Sequence, residues 1–252
     1  MTETVLPSLL RSLYLTQMVK DHEPLADQAG REGWTFPTYL RRLCENEIST
    51  RARRRTERFL RESHLPDTKT MANLDQARLP VKTQRQLPAL VEGDFVERAE
   101  NVLAFGLPGR GKTHLLCAVA RELVLRRGCR VWFTPTVRLV QQLLIAKRDL
   151  KLESFLRKLD GFDVILLDDI GYVQQSREEM EVLFTFLSER YERKSLLITS
   201  NLVFSEWDKI FKDPMTTAAA IDRLVHHSII LELDGDSYRM AHAKNQKNKG
   251  NS

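Results

Sequence analysis

Cysteine is scarce: the 252 residues hold only Cys44, Cys117 and Cys129. None lies in a CxxC pair and three cannot all pair, so neither a disulfide framework nor a zinc site of usual spacing is expected. The compartment reads as reducing. Long apolar runs are missing too, since no stretch approaches the roughly 18 residues that a bilayer crossing needs. The opening MTET is acidic, where a signal peptide would be basic. The expectation is a cytoplasmic protein with no membrane partner. The six histidines form no ligand cluster, and the adjacent His226 and His227 read as surface residues. With 42% hydrophobic and 29% charged residues, wholesale disorder and low complexity are also excluded. At about 100 to 200 residues per domain, the length allows one large domain or one domain with a smaller appendage.

Acids are sparse where arginines are dense. Residues 41–61 hold eight arginines against Glu45, Glu47 and Glu57, and residues 239–252 hold four bases and no acid. The net charge is +5, so the remainder is negative. This placement points to a polyanion contacted outside the main body. Arg51, Arg54, Arg55, Arg58 and Arg61 recur at spacings of three and four, which on a helix makes one stripe. Such a stripe can track phosphates, and the scarcity of acids favours duplex DNA over a merely solvated helix face. No base-reading motif accompanies it, so sequence preference would come from DNA shape or from a partner.

Along the chain, residues 1–75 read as a helical N-terminal domain for DNA or partner binding, in two helices broken at Gly30 and Gly33. Thr35 is placed to cap the second, with Pro37 in its first turn. Residues 76–100 read as a linker, given Pro80 and Pro88. From residue 101 to 240, short apolar runs alternate with amphipathic stretches, the pattern of a parallel sheet covered by helices. Strands are predicted at 102–105, 130–133, 163–167, 195–199 and 228–233. A helix from Lys112 should stop at Gly128, and Ser176 with Glu179 predicts a capping box. Residues 241–252 read as a polar, basic tail. Cys117 and Trp132 read as packing residues, and Trp207 as a core or interface aromatic.

The chemistry concentrates at three strand ends. Gly106, Leu107, Pro108, Gly109, Arg110, Gly111, Lys112 and Thr113 fit GxxxxGK[ST], directly after VLAF and before a helical stretch that opens with His114. Glycines let the backbone curl its N–H groups around phosphate oxygens, and the helix adds the positive end of its dipole. Lys112 then reaches the β and γ phosphates of ATP, and Thr113 offers a hydroxyl to Mg2+. Val164-Ile165-Leu166-Leu167 delivers Asp168 and Asp169 to the carboxyl end of a buried strand, where open α/β sheets bind ligands. Asp168 is the candidate metal residue, and Asp169 the group that orients or deprotonates the attacking water. Asn201, after LLITS, offers a neutral amide to the γ-phosphate or that water.

Taken together, GLPGRGKT, VILLDD, LLITSN and AAAIDRL resemble an AAA+ ATPase of the branch holding helicase loaders and IstB-type transposition helpers, most of all IstB. The resemblance implies an α/β P-loop NTPase of AAA+ type, with a parallel five-stranded sheet in the order 5-1-4-3-2 and a small all-α N-terminal domain. It implies ATP-dependent homo-oligomerisation on DNA in support of a transposase, or alternatively the loading of a replicative helicase. It also implies an arginine finger at Arg223. Asp169 stands where most AAA+ proteins carry Glu, so hydrolysis is expected to be slow. About twenty residues follow the last predicted strand, too few for a C-terminal helical lid. A neighbouring subunit is therefore expected to close the site, with Arg239 as a speculative sensor. A P-loop kinase and an ATP-gated binding module are the remaining readings.

Overall fold

A computed structural model describes residues 5–171, 176–202, 222 and 224–234. They divide into two compact units, with the division between Arg58 and Phe59. The expected boundary near residue 75 differs from this division, which falls inside a helix.

The N-terminal unit holds α1 (Val5–Ser12), α2 (Met18–Glu32) and most of α3 (Phe36–Glu62). The first predicted helix is thus two, separated at Tyr14, whose φ of 58° takes the chain out of the helical region. Gly30 does not break α2; Gly33 does, with φ 65° and the Trp34 N–H donating to Ala29 O. Thr35 caps α3 as predicted, its Oγ1 accepting from the Thr38 N–H at 3.4 Å.

The start of α2 is capped from far away. Glu47 on α3 is 3% exposed, and its Oε2 accepts the N–H groups of Gln17 (2.7 Å) and Met18 (3.0 Å), while Oε1 takes Arg51 Nε at 2.7 Å. Burial alone would raise its pKa; the bonds from Arg51, Met18 and Gln17 outweigh that and hold it below the ordinary carboxylate value. A depressed folded pKa contributes stability above the unfolded pKa, and this is lost as pH falls through the folded value. The protection of amides at the start of α2, taken relative to their intrinsic exchange rates at each pH, should therefore fall as the medium is acidified below the ordinary Glu range. Glu47→Gln should remove that pH dependence and cost about 1 to 3 kcal/mol at neutral pH; an unchanged acid profile would remove Glu47 as the cap.

The larger unit carries β1 (Asn101–Phe105), β2 (Val131–Pro135), β3 (Val164–Ile170), β4 (Ser195–Ser200) and β5 (Ser228–Glu232), all parallel, in the order β2-β3-β4-β1-β5. This is the expected order read from the other edge. Alternate residues of the central strands enter two cores. Val102, Ala104, Val164, Leu166 and Leu197 face one; Leu103, Phe105, Ile165, Leu167, Leu196 and Ile198 face the other. Burial on both faces is why these strands read as unbroken apolar runs.

The first core is covered by α6 (Lys112–Glu122) and by the residues expected to form a linker. α4 (Val81–Glu92) and α5 (Asp94–Glu97) bury Leu87, Leu90, Val91 and Phe95, and α4 packs on α6. Pro80 precedes α4 as its N-cap and Pro88 lies inside it, so neither marks a loose join. After α6 one wide turn, Leu123–Arg127, closes at Gly128 with φ 63°.

The second core lies under α7 (Thr136–Arg148), α8 (Leu152–Asp160) and α9 (Arg177–Arg190). The predicted capping box starts α9, with Ser176 N–H donating to Glu179 Oε2 (2.6 Å) and Glu179 N–H to Ser176 Oγ (3.3 Å). At the other end of α9, Arg190 is 3% exposed and donates to the carbonyls of Leu159, Phe162, Asp163 and Ser195. Burial lowers its pKa to about 10, so it stays charged at neutral pH and ties α8 and α9 to the strands. Among the described residues no helix is long and apolar enough to cross a membrane.

Candidate nucleotide site

The loop after β1 is shaped by where its backbone must go. Gly106 has φ 146°, and a Cβ there would stand 2.5 Å from the carbonyl oxygen of Leu233, so only glycine fits. Gly109 and Gly111 take φ 84° and 86°. Gly111 is the N-cap of α6 and gives no side-chain cap, so the first-turn amides face the loop without one. That is the geometry of an anion site.

Lys112 opens α6 and is 6% exposed. Its Nζ donates to Gly106 O (2.6 Å), Leu107 O (3.0 Å) and Asn201 Oδ1 (2.7 Å). These three acceptors are neutral oxygens, which phosphate oxygens could replace with a gain in charge pairing. Arg110 supplies a second sign, because its Nε is buried with no hydrogen-bond partner. A phosphate at the loop would satisfy it.

Thr113, Asp168 and Thr199 form a joined oxygen cluster. The Thr113 hydroxyl donates to Asp168 Oδ1 at 2.7 Å and the Thr199 hydroxyl to the same atom at 2.8 Å. Hydroxyl and carboxylate oxygens of this kind suit a hard ion such as Mg2+. The other half of the cluster joins Asp169 to the lysine: Asn201 Nδ2 donates to Asp169 Oδ1 at 2.5 Å, and the Asn201 carbonyl oxygen accepts from Lys112. One network thus runs across the ends of β1, β3 and β4.

The third strand is predicted to end at Leu167, but β3 continues to Ile170. Leu167 pairs with Ile198 and Ile170 with Ser200, so β3 carries one extra residue there. This bulge is what brings both aspartates to the site. Asp169 takes φ 62°, a region that Asp tolerates better than most residues. Its N–H donates to Thr199 Oγ1 at 2.7 Å, which holds the turn. Thr199 was not singled out from sequence; a hydroxyl closing an apolar strand beside an acidic pair is the signal that could have found it. Thr136 is a second such residue, its Oγ1 donating to Asp168 O at 3.1 Å.

Other expected residues are differently engaged. The His114 ring Nε2 lies 3.1 Å from Thr70 O, so its imidazole is committed outside the loop and it offers a ligand only its backbone amide. Leu107, in the loop, is 61% exposed. Cys117 is fully buried; burial first, and the Asp168 charge, push its thiol up to about 12, which leaves it inert and confirms its packing role. Trp132 stacks on Phe162 with ring centroids 6.0 Å apart. Arg223, Arg239, Trp207 and residues 241–252 lie outside the described residues.

On α3, Arg51 is held by Glu47 and by the Tyr14 carbonyl, and Arg54 donates to Thr16 Oγ1 at 2.9 Å. Arg55, Arg58 and Arg61 are exposed on the same helix. Arg51 therefore has a structural task that the stripe pattern did not reveal, because its partners come from residues 14 and 47.

Residues 8–246 match the family described as IstB-like ATP binding protein. An insertion sequence ATP-binding protein of Sinorhizobium fredii is 43% identical over 246 residues, covering 97% of this chain and 82% of that protein. The insertion sequence IS21 ATP-binding protein of Pseudomonas aeruginosa is 37% identical over 235 residues, covering 92% of this chain and 87% of its own length. Among solved structures, AMPPCP-bound DnaA from Aquifex aeolicus is similar with a TM-score of 0.55 at 20% identity, covering 75% of this chain and 57% of that one. DnaI gives 0.56 at 20% identity, covering 68% and 96%. These two likenesses concern the fold alone, the five-stranded P-loop sheet. With the loop, the acidic pair and the family match together, the chain belongs to the IstB-like ATP-binding protein family and is a P-loop ATPase of the AAA+ type.

Proposed function

We propose that this ATPase assembles on duplex DNA when ATP is bound and helps the transposase of its own insertion element to select a target. The observation that carries the reading is the Lys112–Asn201–Asp169 chain beside the Thr113–Asp168–Thr199 cluster, since it couples a phosphate-binding lysine to a base for water. The insertion-sequence names of the relatives support the biological setting.

In this reading Lys112 moves from the carbonyls of Gly106 and Leu107 to the β and γ phosphates, and Arg110 gains the partner it lacks. Thr113 and Asp168 would hold Mg2+, which would supply charge neutralisation at the phosphates. Asp169, steered by the Asn201 amide, orients a water and takes its proton as the water oxygen bonds to the γ-phosphorus. The bond to the bridging oxygen then breaks, ADP leaves with that electron pair, and the proton passes on to solvent. Asp169 reaches one methylene less far than Glu, which suits slow turnover and a long-lived ATP-bound assembly. Arg223 of a neighbouring subunit would complete the charge stabilisation.

The exposed arginines of α3 would contact DNA phosphates. Replacing Arg55, Arg58 and Arg61 by Ala should weaken DNA binding and flatten the slope of log affinity against log salt by nearly one per lost contact, about 0.9 each on B-form DNA. An unchanged slope would take this helix out of the interface. The assembly itself is tested by sedimentation of the full chain with DNA, with Mg-ATP analogue or Mg-ADP. Large complexes are expected with the analogue only, and loss of the difference would contradict the proposal. Helicase loading is the second reading; a structure described as the DnaC helicase loader shares the fold at 19% identity with a TM-score of 0.50. Pull-down of a replicative helicase rather than the transposase would support it.

A further inference from the structure

Glu192 lies more than thirty residues before His226 and His227 in the sequence, yet the fold gathers all three. Their ligand atoms lie within 4.8 Å of one another, and all three residues are exposed. Glu192 sits in the turn between α9 and β4, with φ 57°; the two histidines form the turn that leads into β5. The place is therefore at the amino ends of the strands, on the edge opposite the phosphate loop.

The backbone under the cluster is pinned. The Asn101 N–H donates to His227 O at 2.8 Å, and the buried Asn101 side chain bridges Leu224 O (3.3 Å) and the Leu196 N–H (2.9 Å). His227 Nε2 lies 3.3 Å from Glu192 Oε1, and the two imidazoles meet edge to face with centroids 4.4 Å apart. The Tyr191 hydroxyl stands 3.3 Å from His226 Nδ1, where it can orient that ring.

We propose that Glu192, His226 and His227 bind a late first-row divalent cation, with Zn2+ as the reference ion. Two imidazole nitrogens and one carboxylate oxygen are a donor set for zinc, nickel or copper, whereas Mg2+ and Ca2+ prefer oxygen alone. Water completes the fourth position. Donors at about 2.0 to 2.2 Å from zinc in a tetrahedron stand roughly 3.4 Å apart. The side chains must therefore close by little more than an ångström, which exposed rotamers on a fixed backbone can do. Binding staples the α9–β4 turn to the lead-in of β5.

The test is calorimetric titration of ZnCl2 into the full chain in a non-chelating buffer, paired with thermal denaturation. One zinc per chain is expected at this site, and it should raise the melting temperature. His226→Ala, His227→Ala and Glu192→Gln should each weaken zinc binding by about tenfold or more while leaving Mg-nucleotide binding, the control for folding, unchanged. Cys44→Ser with Cys129→Ser should leave the zinc isotherm intact, and Mg2+ should not compete. An isotherm without this site, one that persists in the double histidine variant, or one abolished by the cysteine changes would overturn the assignment. None of these outcomes bears on the nucleotide site, whose readout is separate.

Discussion

Lys112→Ala should lose nucleotide binding by about a hundredfold or more while the protein stays folded. The lysine is 6% exposed, and its Nζ donates to two carbonyl oxygens of the loop and to Asn201 Oδ1. Each charge-assisted bond contributes about 1.5 to 3 kcal/mol, and two such bonds to phosphate oxygens correspond to about two decades or more in affinity. Stability should suffer less, because the carbonyls it leaves sit at an open loop where water can take its place. Fluorescent-nucleotide binding and urea denaturation on the same variant separate the two effects. Equal losses in both would mean that Lys112 is a structural strut. A retained affinity would mean that the phosphates bind elsewhere.

Asp169→Ala is expected to split binding from turnover. Asp169 is joined to Lys112 through Asn201, whose amide donates to the aspartate and whose carbonyl oxygen accepts from the lysine, and its expected role lies with the attacking water rather than with the phosphates. Nucleotide affinity should therefore change by no more than a few fold, while phosphate release falls by about 10² to 10⁴, the usual contribution of a positioned base. Asp169→Glu sharpens the test. If reach limits the native enzyme, the longer side chain should raise turnover; if the turn at φ 62° and the Thr199 bond set the geometry, it should lower it. Parallel loss of binding and turnover in Asp169→Ala would assign Asp169 to the nucleotide pocket itself.

The strands were readable because a sheet covered on both faces needs apolar residues without alternation, and Val164 to Leu167 or Leu196 to Ile198 cannot be mistaken for a solvated edge. Strand order came instead from the resemblance carried by the motifs. The loop was legible in full because glycine spacing, lysine and the flanking strand and helix all serve one backbone shape. Three things were hidden. The bulge that turns Asp168 and Asp169 into the site depends on the register of β3 against β4, which no single strand reveals. Glu47 caps a helix about thirty positions away, so its carboxylate looked like one acid among arginines. Prolines at 80 and 88 suggested a join, whereas the leucines between and beyond them bury against α6 and decide the structure. The Glu192–His226–His227 cluster belongs to the same class, since its members meet only once β4 and β5 flank β1.

Titration of a Mg-bound, slowly hydrolysed ATP analogue into the full chain tests the central claim most directly. The account predicts one binding event per chain, weakened when EDTA removes the magnesium that Thr113 and Asp168 would hold, and lost in Lys112→Ala. Heat that is absent in well-folded wild-type protein, or that survives unchanged in Lys112→Ala, would contradict it.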